Sequence, residues 1–392
     1  MKIRRLTKED KFEAFLISAF CFHNRIDDVE AKREEQEADS TEDWGAFTED
    51  GTIMARILNN RYTFVIDGQE VKTGGIGAVS TLPEYRSDGC IAGIFKELLQ
   101  AAYEEGEVIS TLYPFSHSFY RKQGYETVVM GNTYEMPPSA LSGYSFDGTV
   151  KKWNMGEDVA PYLAIYNTFT KGYNFAAIRD EKRMLDHMKV DKPYQDRKFS
   201  YLLSKDGKDL AYVIFTDIRH DPMAILDVNE CAWTCPEGFR AVLAFLERFV
   251  SDYGTVRLPL PEGIDLHRII RSRATYDVSC SRRFAFMVRA VNAAKLLEIM
   301  EKPGDASFVI EVTGDDQIPD NNGTYRVTGS CAEKVMGEKP DLSVSIQALS
   351  QLCCGVISLE EALLRGDTVV RGKEELLEKI FVRKKIFVGE AF

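Results

Sequence analysis

Residues 75–99 hold the densest set of positions suited to chemistry. Gly75-Ile76-Gly77-Ala78-Val79-Ser80-Thr81-Leu82-Pro83-Glu84-Tyr85-Arg86-Ser87-Asp88-Gly89 runs directly into Cys90-Ile91-Ala92-Gly93-Ile94-Phe95-Lys96-Glu97-Leu98-Leu99. Residues 76–81 are β-branched and apolar enough for a buried strand. Pro83 ends pairing, because it has no N–H to give the ladder. Ile91, Ile94, Phe95, Leu98 and Leu99 then fall on one helical face. The spacing predicts a strand, a turn and a helix. The first turn of that helix points unbonded N–H groups back at the strand end, and such a helix start attracts phosphate. Small residues let a ligand come close. Asp88 is unfavourable near an anion unless it points away, which leaves Arg86 and the backbone to carry most of the binding. The alternative reading is an ordinary strand-to-helix turn.

Three further positions carry groups able to move protons. Tyr120 lies in Phe115-Ser116-His117-Ser118-Phe119-Tyr120-Arg121-Lys122-Gln123-Gly124-Tyr125-Glu126. It is either a core aromatic with a locally satisfied hydroxyl or a site residue. A tyrosine with pKa ~10 can donate a hydrogen bond while staying neutral at pH 7. His23 follows a helical stretch and is either structural or a base. The chain ends on Ile386-Phe387-Val388-Gly389-Glu390-Ala391-Phe392, apolar to its final residue. Termini are usually polar and frayed, so this one is expected to dock, burying Phe392 and holding its carboxylate in place.

Composition narrows the partners. The 392 residues carry a net charge of −12, which argues against nucleic acid and anionic membranes. Residues 1–140 account for −9 of it, much in the acid-rich run 27–50. That run is either a solvated helix face and loop or a negative field that concentrates cationic amines. No stretch reaches the ~18 apolar residues of a membrane span, and residues 1–5 lack a leader-like apolar segment. The eight cysteines are scattered, without Cys-x-x-Cys units or neighbouring histidines. They form neither a metal site nor a disulfide framework, so a reducing cytoplasm is expected.

A chain of this length predicts two or three domains. Residues 2–6 read as a strand, and Thr7 as the N-cap of a helix bearing Phe12, Phe15, Leu16 and Phe20. Strands are expected at 54–58, 62–66 and 71–81, with a turn at Asp67-Gly68, and another at 108–114. The order of hairpin, strand, helix and strand in residues 199–260 repeats that of 62–114. Its turn, Thr234-Cys235-Pro236-Glu237-Gly238, has no Arg-x-x-Gly, and Glu237 would repel phosphate. Residues 285–392 mix strands near 284–288, 307–313, 323–327 and 342–346 with helices near 292–300, 345, 358 and 373–381.

Val79-x-Thr81-x-Pro83-x-Tyr85-Arg86-x-x-Gly89 resembles the acetyl-CoA motif of GNAT-type N-acetyltransferases, and Phe119-Tyr120-x-x-x-Gly124-Tyr125-Glu126 is similar to the segment closing many GNAT cores. In such sheets the strand expected at 108–114 splays from its neighbour to admit the acyl-pantetheine arm. Residues 285–392 resemble a sterol-carrier-protein-like domain. The whole order resembles the Eis (enhanced intracellular survival) family. The resemblance implies an α/β (α+β) fold with a catalytic GNAT domain at 1–140, a degenerate GNAT-like domain at 141–284 and a sterol-carrier-like α/β domain at 285–392. It implies acetyl-CoA bound by Val79, Ser80, Thr81, Arg86, Ser87, Asp88, Gly89, Cys90 and Ile91. It further implies Tyr120 as general acid, the Phe392 carboxylate as general base, no metal, and a cytoplasmic homohexamer. The implied substrates are cationic small-molecule amines (aminoglycosides or polyamines) or lysine side chains, and the family's pocket varies. Ala391 lacks the acidic side chain found beside the terminus in some members. A rival reading is a lipid- or ligand-binding module whose GNAT domains are catalytically inactive.

Overall fold

The computed structural model describes residues 1–39, 41–190, 197–220, 223–271 and 277–392. They form two compact units, one of Met1–Val128, Ala285–Lys384 and Glu390–Phe392, the other of Val129–Phe284 and Lys385–Gly389. The fold is mixed α/β, with tandem GNAT-type sheets and a sterol-carrier-like sheet. No helix among the described residues is long and apolar enough to cross a membrane.

In the first unit a seven-stranded sheet runs Lys2–Arg5, Glu42–Phe47, Ile53–Ile66, Gln69–Thr81, Ile109–Leu112, Phe286–Ala290, Glu126–Val128. Its one parallel pair is Gln69–Thr81 with Ile109–Leu112. The strand Phe286–Ala290 comes from far along the chain and pairs antiparallel on both sides, with Ile109–Leu112 and with Glu126–Val128. All five of its residues are buried. That includes Arg289, which the Asp315 carboxylate receives at 2.6 Å and the Gln123 carbonyl at 2.6 Å. The limits drawn from sequence, 1–140, 141–284 and 285–392, divide the chain differently from these contacts. Gly131–Met136 pairs with Thr255–Leu260 and Ser279–Arg283 in the second unit's sheet, whereas Phe286–Ala290 completes the first. A hydrophobic strand with two free edges beside it joins whichever sheet buries both of its faces.

The helix Cys90–Glu104 lies across the first sheet, burying Ile94, Phe95, Leu98 and Leu99 with Trp44, Ile57, Ile76 and Leu112. Thr7 caps only the short turn Lys8–Asp10, with its N–H and hydroxyl both donating to Asp10, before the helix Lys11–Cys21 begins. Where two strands are expected at 54–58 and 62–66, the structure has one, Ile53–Ile66. Asn59 does not break it, because its amide is buried and donates to Glu107 at 3.1 Å. A five-stranded sheet, Cys331–Val335, Gly323–Thr328, Ser307–Thr313, Leu342–Ser345, Thr368–Val370, makes up the sterol-carrier-like part. Its helix Ile346–Cys353 packs on Phe286–Ala290, where Ser350 accepts from the Ala290 amide at 2.8 Å.

The second unit's sheet runs Ser279–Arg283, Gly131–Met136, Thr255–Leu260, Met223–Trp233, Lys208–His220, Lys198–Lys205, Thr149–Lys152. Its helix Pro236–Glu247 crosses between the parallel strands Met223–Trp233 and Thr255–Leu260. Inside this unit Arg179 and Glu230 form a buried bidentate pair at 2.8 Å, and Arg179 also donates to the Gly389 carbonyl.

Glu107 is the notable charge in the first core. Gly74 leaves room for it: a Cβ there would stand 2.6 Å from both Glu107 Oε2 and Asn59 Oδ1, two acceptors that find no donor among the described residues. Burial pushes the Glu107 carboxyl up to about 7, against the Asn59 hydrogen bond and the Arg61 charge and with the help of Glu42 and Glu105. A proton on Glu107 supplies the donor that the pair lacks. An unfolded glutamate titrates near ~4.3, so this proton's stabilisation is complete below that pH and is lost as pH rises through about 7. Glu107→Gln, uncharged at every pH, is expected to exceed the wild type in stability at pH 8 by on the order of 3 kcal/mol, since each pKa unit is worth ~1.4. The gap should close towards pH 5 in thermal denaturation. A gap of equal size at both pH values would contradict the assignment.

Candidate active site

Two irregularities in Gln69–Thr81 build the site. The first is a β-bulge: Arg56 pairs with Ser80 and Leu58 with Gly77, so Ile57 alone faces both Ala78 and Val79. Ala78 turns there with φ of 50°, a left-handed conformation costing a non-glycine residue about 1–2 kcal/mol. The second is a parting of strands. Pairing with Ile109–Leu112 stops at Ile76 and Leu112, while Gln69–Thr81 continues to Thr81. Beyond Ile76 that edge is unpaired, so its peptide groups are available to a ligand.

The turn that follows is shaped for an anion. Ser87 and Gly89 take φ of 74° and 79° on either side of Asp88. Gly89 is the N-cap of Cys90–Glu104, and no side chain caps that helix start. Its first amides therefore remain unbonded donors, at the positive end of the helix dipole. A cavity of about 600 Å³ opens here, within the usual size of ligand pockets. Of the nine cofactor residues expected from sequence, eight line it: Val79, Ser80, Thr81, Arg86, Ser87, Gly89, Cys90 and Ile91. Asp88, the ninth, is exposed and outside the lining. Burial, and secondly Asp88, push the Cys90 thiol up, so it stays protonated.

The second segment divides into two jobs. Phe115 and Phe119 line the cavity, whereas Tyr120 sits one ring layer behind them, 5.2 Å from each ring. Burial raises its pKa above the ordinary tyrosine value, and its hydroxyl makes no hydrogen bond among the described residues. Gly124, Tyr125 and Glu126 are structural. A Cβ on Gly124, at φ of 86°, would stand 2.9 Å from the Arg289 guanidinium. The Tyr125 hydroxyl meets Ser110 at 2.7 Å, and Glu126 pairs with Arg121 and Arg365.

The chain end docks against Gln69–Thr81 at Gly75 and Gly77. Tyr62, Tyr113 and Phe286 box the Phe392 ring at centroid distances of 5.3, 5.4 and 6.3 Å, and the Tyr113 hydroxyl donates to the Glu390 carbonyl. Phe392 is half-buried rather than buried. Its carboxyl carbon lies 3.2 Å from where a Gly77 Cβ would be, beside the parting of the strands. No ring contact or hydrogen bond joins Phe392 to Tyr120. His23, exposed with φ of 57°, is outside the cavity lining.

Residues 2–128 match the model of the acetyltransferase (GNAT) domain. That family uses acetyl-CoA. Residues 288–388 match the sterol carrier protein domain. Among solved structures, the GCN5-related N-acetyltransferase from Anabaena variabilis aligns over all of both chains, with TM-score 0.83 and 23% identity. A probable N-acyltransferase from Enterococcus faecalis aligns over 100% of this chain and 99% of its own, with TM-score 0.86 and 20% identity. Eis1 from Mycobacterium abscessus covers all of both chains, with TM-score 0.81 and 17% identity. These likenesses show a shared fold along the whole chain. No curated protein matches it in sequence.

Sequence reasoning missed Tyr62, Tyr113 and Phe286, the box around Phe392, and the Asp43–Arg56 pair beneath the bulge. Asp43 was hidden in the acid-rich run, though it alternates with Trp44 and Glu42 in a strand. A side chain at Gly75 would enter the box, with its Cβ 2.7 Å from Tyr62 and 3.1 Å from Phe392. Gly75→Val should therefore displace the Phe392 ring and cost about 1–3 kcal/mol, as overpacking does. The check is hydrogen exchange at residues 390–392 together with the melting temperature; unaltered exchange would rule the box out.

Proposed function

We propose that this protein is an acetyl-CoA-dependent N-acetyltransferase of the Eis kind, transferring acetyl to primary amines of cationic substrates such as polyamines, aminoglycosides or lysine side chains. The cavity at the bulge and helix start carries the reading, because its lining contains eight of the nine residues expected to hold the cofactor. Bound there, acetyl-CoA supplies an activated thioester acyl group. The unbonded amides after Gly89 and the Arg86 guanidinium would hold its phosphates, and Val79, Phe115 and Phe119 its apolar arm.

The protein's own groups handle protons. The Phe392 carboxylate is the general base, taking a proton from the substrate ammonium. Its place beside Gly77, at the mouth of the parted strands, supports this role. Tyr120 is the general acid: burial of its ring keeps its Oη protonated at neutral pH, and a protonated phenol can donate to the departing thiolate. Exposed Glu30, Glu34 and Glu35, on the helix Val29–Ala38, favour cationic substrates. That helix packs on Lys11–Cys21, whose end lines the cavity; Arg33, for example, lies 4.0 Å over the Phe12 ring.

Thiol release from acetyl-CoA across an amine panel tests the activity, and a protein that binds acetyl-CoA without turnover would favour the binding-module reading. Arg86→Glu should weaken acetyl-CoA by about 1–3 kcal/mol, the worth of a charge-assisted contact; titration calorimetry would expose an unchanged affinity and refute the cradle. The acid–base assignment makes a separate demand. Tyr120→Phe, and residues appended after Phe392, should each lower kcat at least ~10-fold with acetyl-CoA affinity kept, general acid–base catalysis being worth ~10²–10⁴. Full kcat in the appended form would remove Phe392 from the role.

A further inference from the structure

Beneath the bulge lies a buried polar chain of which only Ser80, a lining residue of the cavity, has a role above. Arg56 donates through Nε and Nη2 to both Asp43 oxygens, at 2.8 and 2.9 Å. Its Nη1 reaches Ser18 Oγ at 3.4 Å. Ser18 Oγ lies 3.0 Å from Ser80 Oγ, and Ser80 Oγ lies 3.0 Å from the Ala78 carbonyl. All four side chains belong to buried residues. The direction of every bond is determined, since a guanidinium only donates and a carbonyl only accepts. Ser80 must give its proton to Ala78, so it accepts from Ser18, and Ser18 accepts from Arg56. The Arg56 guanidinium, held by Asp43, is thus linked through two hydroxyls to the carbonyl of the one left-handed alanine in the strand.

The chain also joins two walls of the cavity. Ser18 stands on the helix Lys11–Cys21, whose end brings Cys21 and Phe22 to the lining; Ser80 and its neighbours Val79 and Thr81 line it from the strand. We infer that Ser18 and Arg56 are positioning residues for acetyl-CoA binding, holding the Ala78 bulge and the two walls in their binding geometry without touching the ligand. This rests on the reading that the cavity takes acetyl-CoA. Its physical content is that Ala78 needs external support to keep φ of 50°, which glycine would adopt freely.

Ser18→Ala in the full chain cuts the relay and leaves Ser80 bonded to Ala78. Titrated with acetyl-CoA, it should show a Kd raised about 5–20-fold, a change of ~1–2 kcal/mol at 1.4 per decade, with kcat at saturation within about twofold. In an Ala78→Gly background the same substitution should cost less than about twofold, because glycine holds the bulge unaided. A purely structural role would lower the melting temperature alike in both backgrounds and leave Kd unmoved. The inference is overturned if Ser18→Ala binds as the wild type does, or loses equal affinity in both backgrounds. If Ser18→Ala does not fold, Ser18→Cys, similar in volume and a weaker donor, carries the same comparison. Wild-type protein that fails to bind acetyl-CoA would refute the cavity reading instead, a result separable from a normal wild type with an insensitive variant.

Discussion

The first unit depends on one strand being paired along only part of its length. Gln69–Thr81 has strand neighbours on both sides only from Thr73 to Ile76, and beyond Ile76 it pairs with Ile53–Ile66 alone. An unpaired strand edge is ordinarily a liability, because exposed N–H and C=O groups recruit other strands. Here the bulge at Ala78 and the stop at Pro83 keep it from acting as a template. The cavity opens beside the residues past Ile76, and Phe392 lies against Gly75 and Gly77 where the pairing stops. Ligand cradle and docked chain end are therefore consequences of one local failure to pair.

Buried ion pairs give this arrangement its register. Asp43–Arg56 links two adjacent strands beneath the bulge, and Arg289–Asp315 ties an inserted strand to the connection after Ser307–Thr313. Desolvation makes such pairs poor sources of net stability, yet losing one partner strands the other charge at a cost of about 3–5 kcal/mol. Their effect is on uniqueness. A strand shifted by one residue would carry Arg56 or Arg289 away from the carboxylate that neutralises it. Gly124 shows how closely the backbone yields to such a group, since only a residue without a side chain leaves space for the Arg289 guanidinium.

The strand, turn and helix that line the cavity were legible in the sequence because all their parts lie in one short stretch, where strand periodicity, Pro83, Gly89 and the apolar face of the next helix follow in order. The repeated strand–helix–strand plan of the second unit was legible for the same reason. The insertion of Phe286–Ala290 was not, because nothing local distinguishes a strand pairing with its neighbours from one pairing with residues 109–112. The aromatic box around Phe392 draws on residues 62, 113 and 286, and a lone Tyr or Phe in a strand reads as core wherever it falls. Tyr120 was legible as an aromatic of the second segment, but its place behind Phe115 and Phe119 depends on how a helix of only five residues, His117–Arg121, is set.

The two strand-to-helix turns of this chain form a controlled comparison. Both follow the first strand of a parallel pair and open a helix that packs across its sheet. In the first unit the turn passes through Ser87 and Gly89 at positive φ and leaves the helix start uncapped. In the second, Pro236 occupies the first helical position and has no N–H to offer. Glu237 brings a carboxylate, engaged by Lys205 at 3.0 Å, into the place an anion would need. Gly238 is pressed against the Leu210 backbone, so the helix closes on the strand beside it. Equal topology therefore yields an open, donor-rich helix start in one unit and a sealed, acidic one in the other. The difference between the two helix starts lies in the few residues of the turn, and the sheet serves only to bring them to its edge.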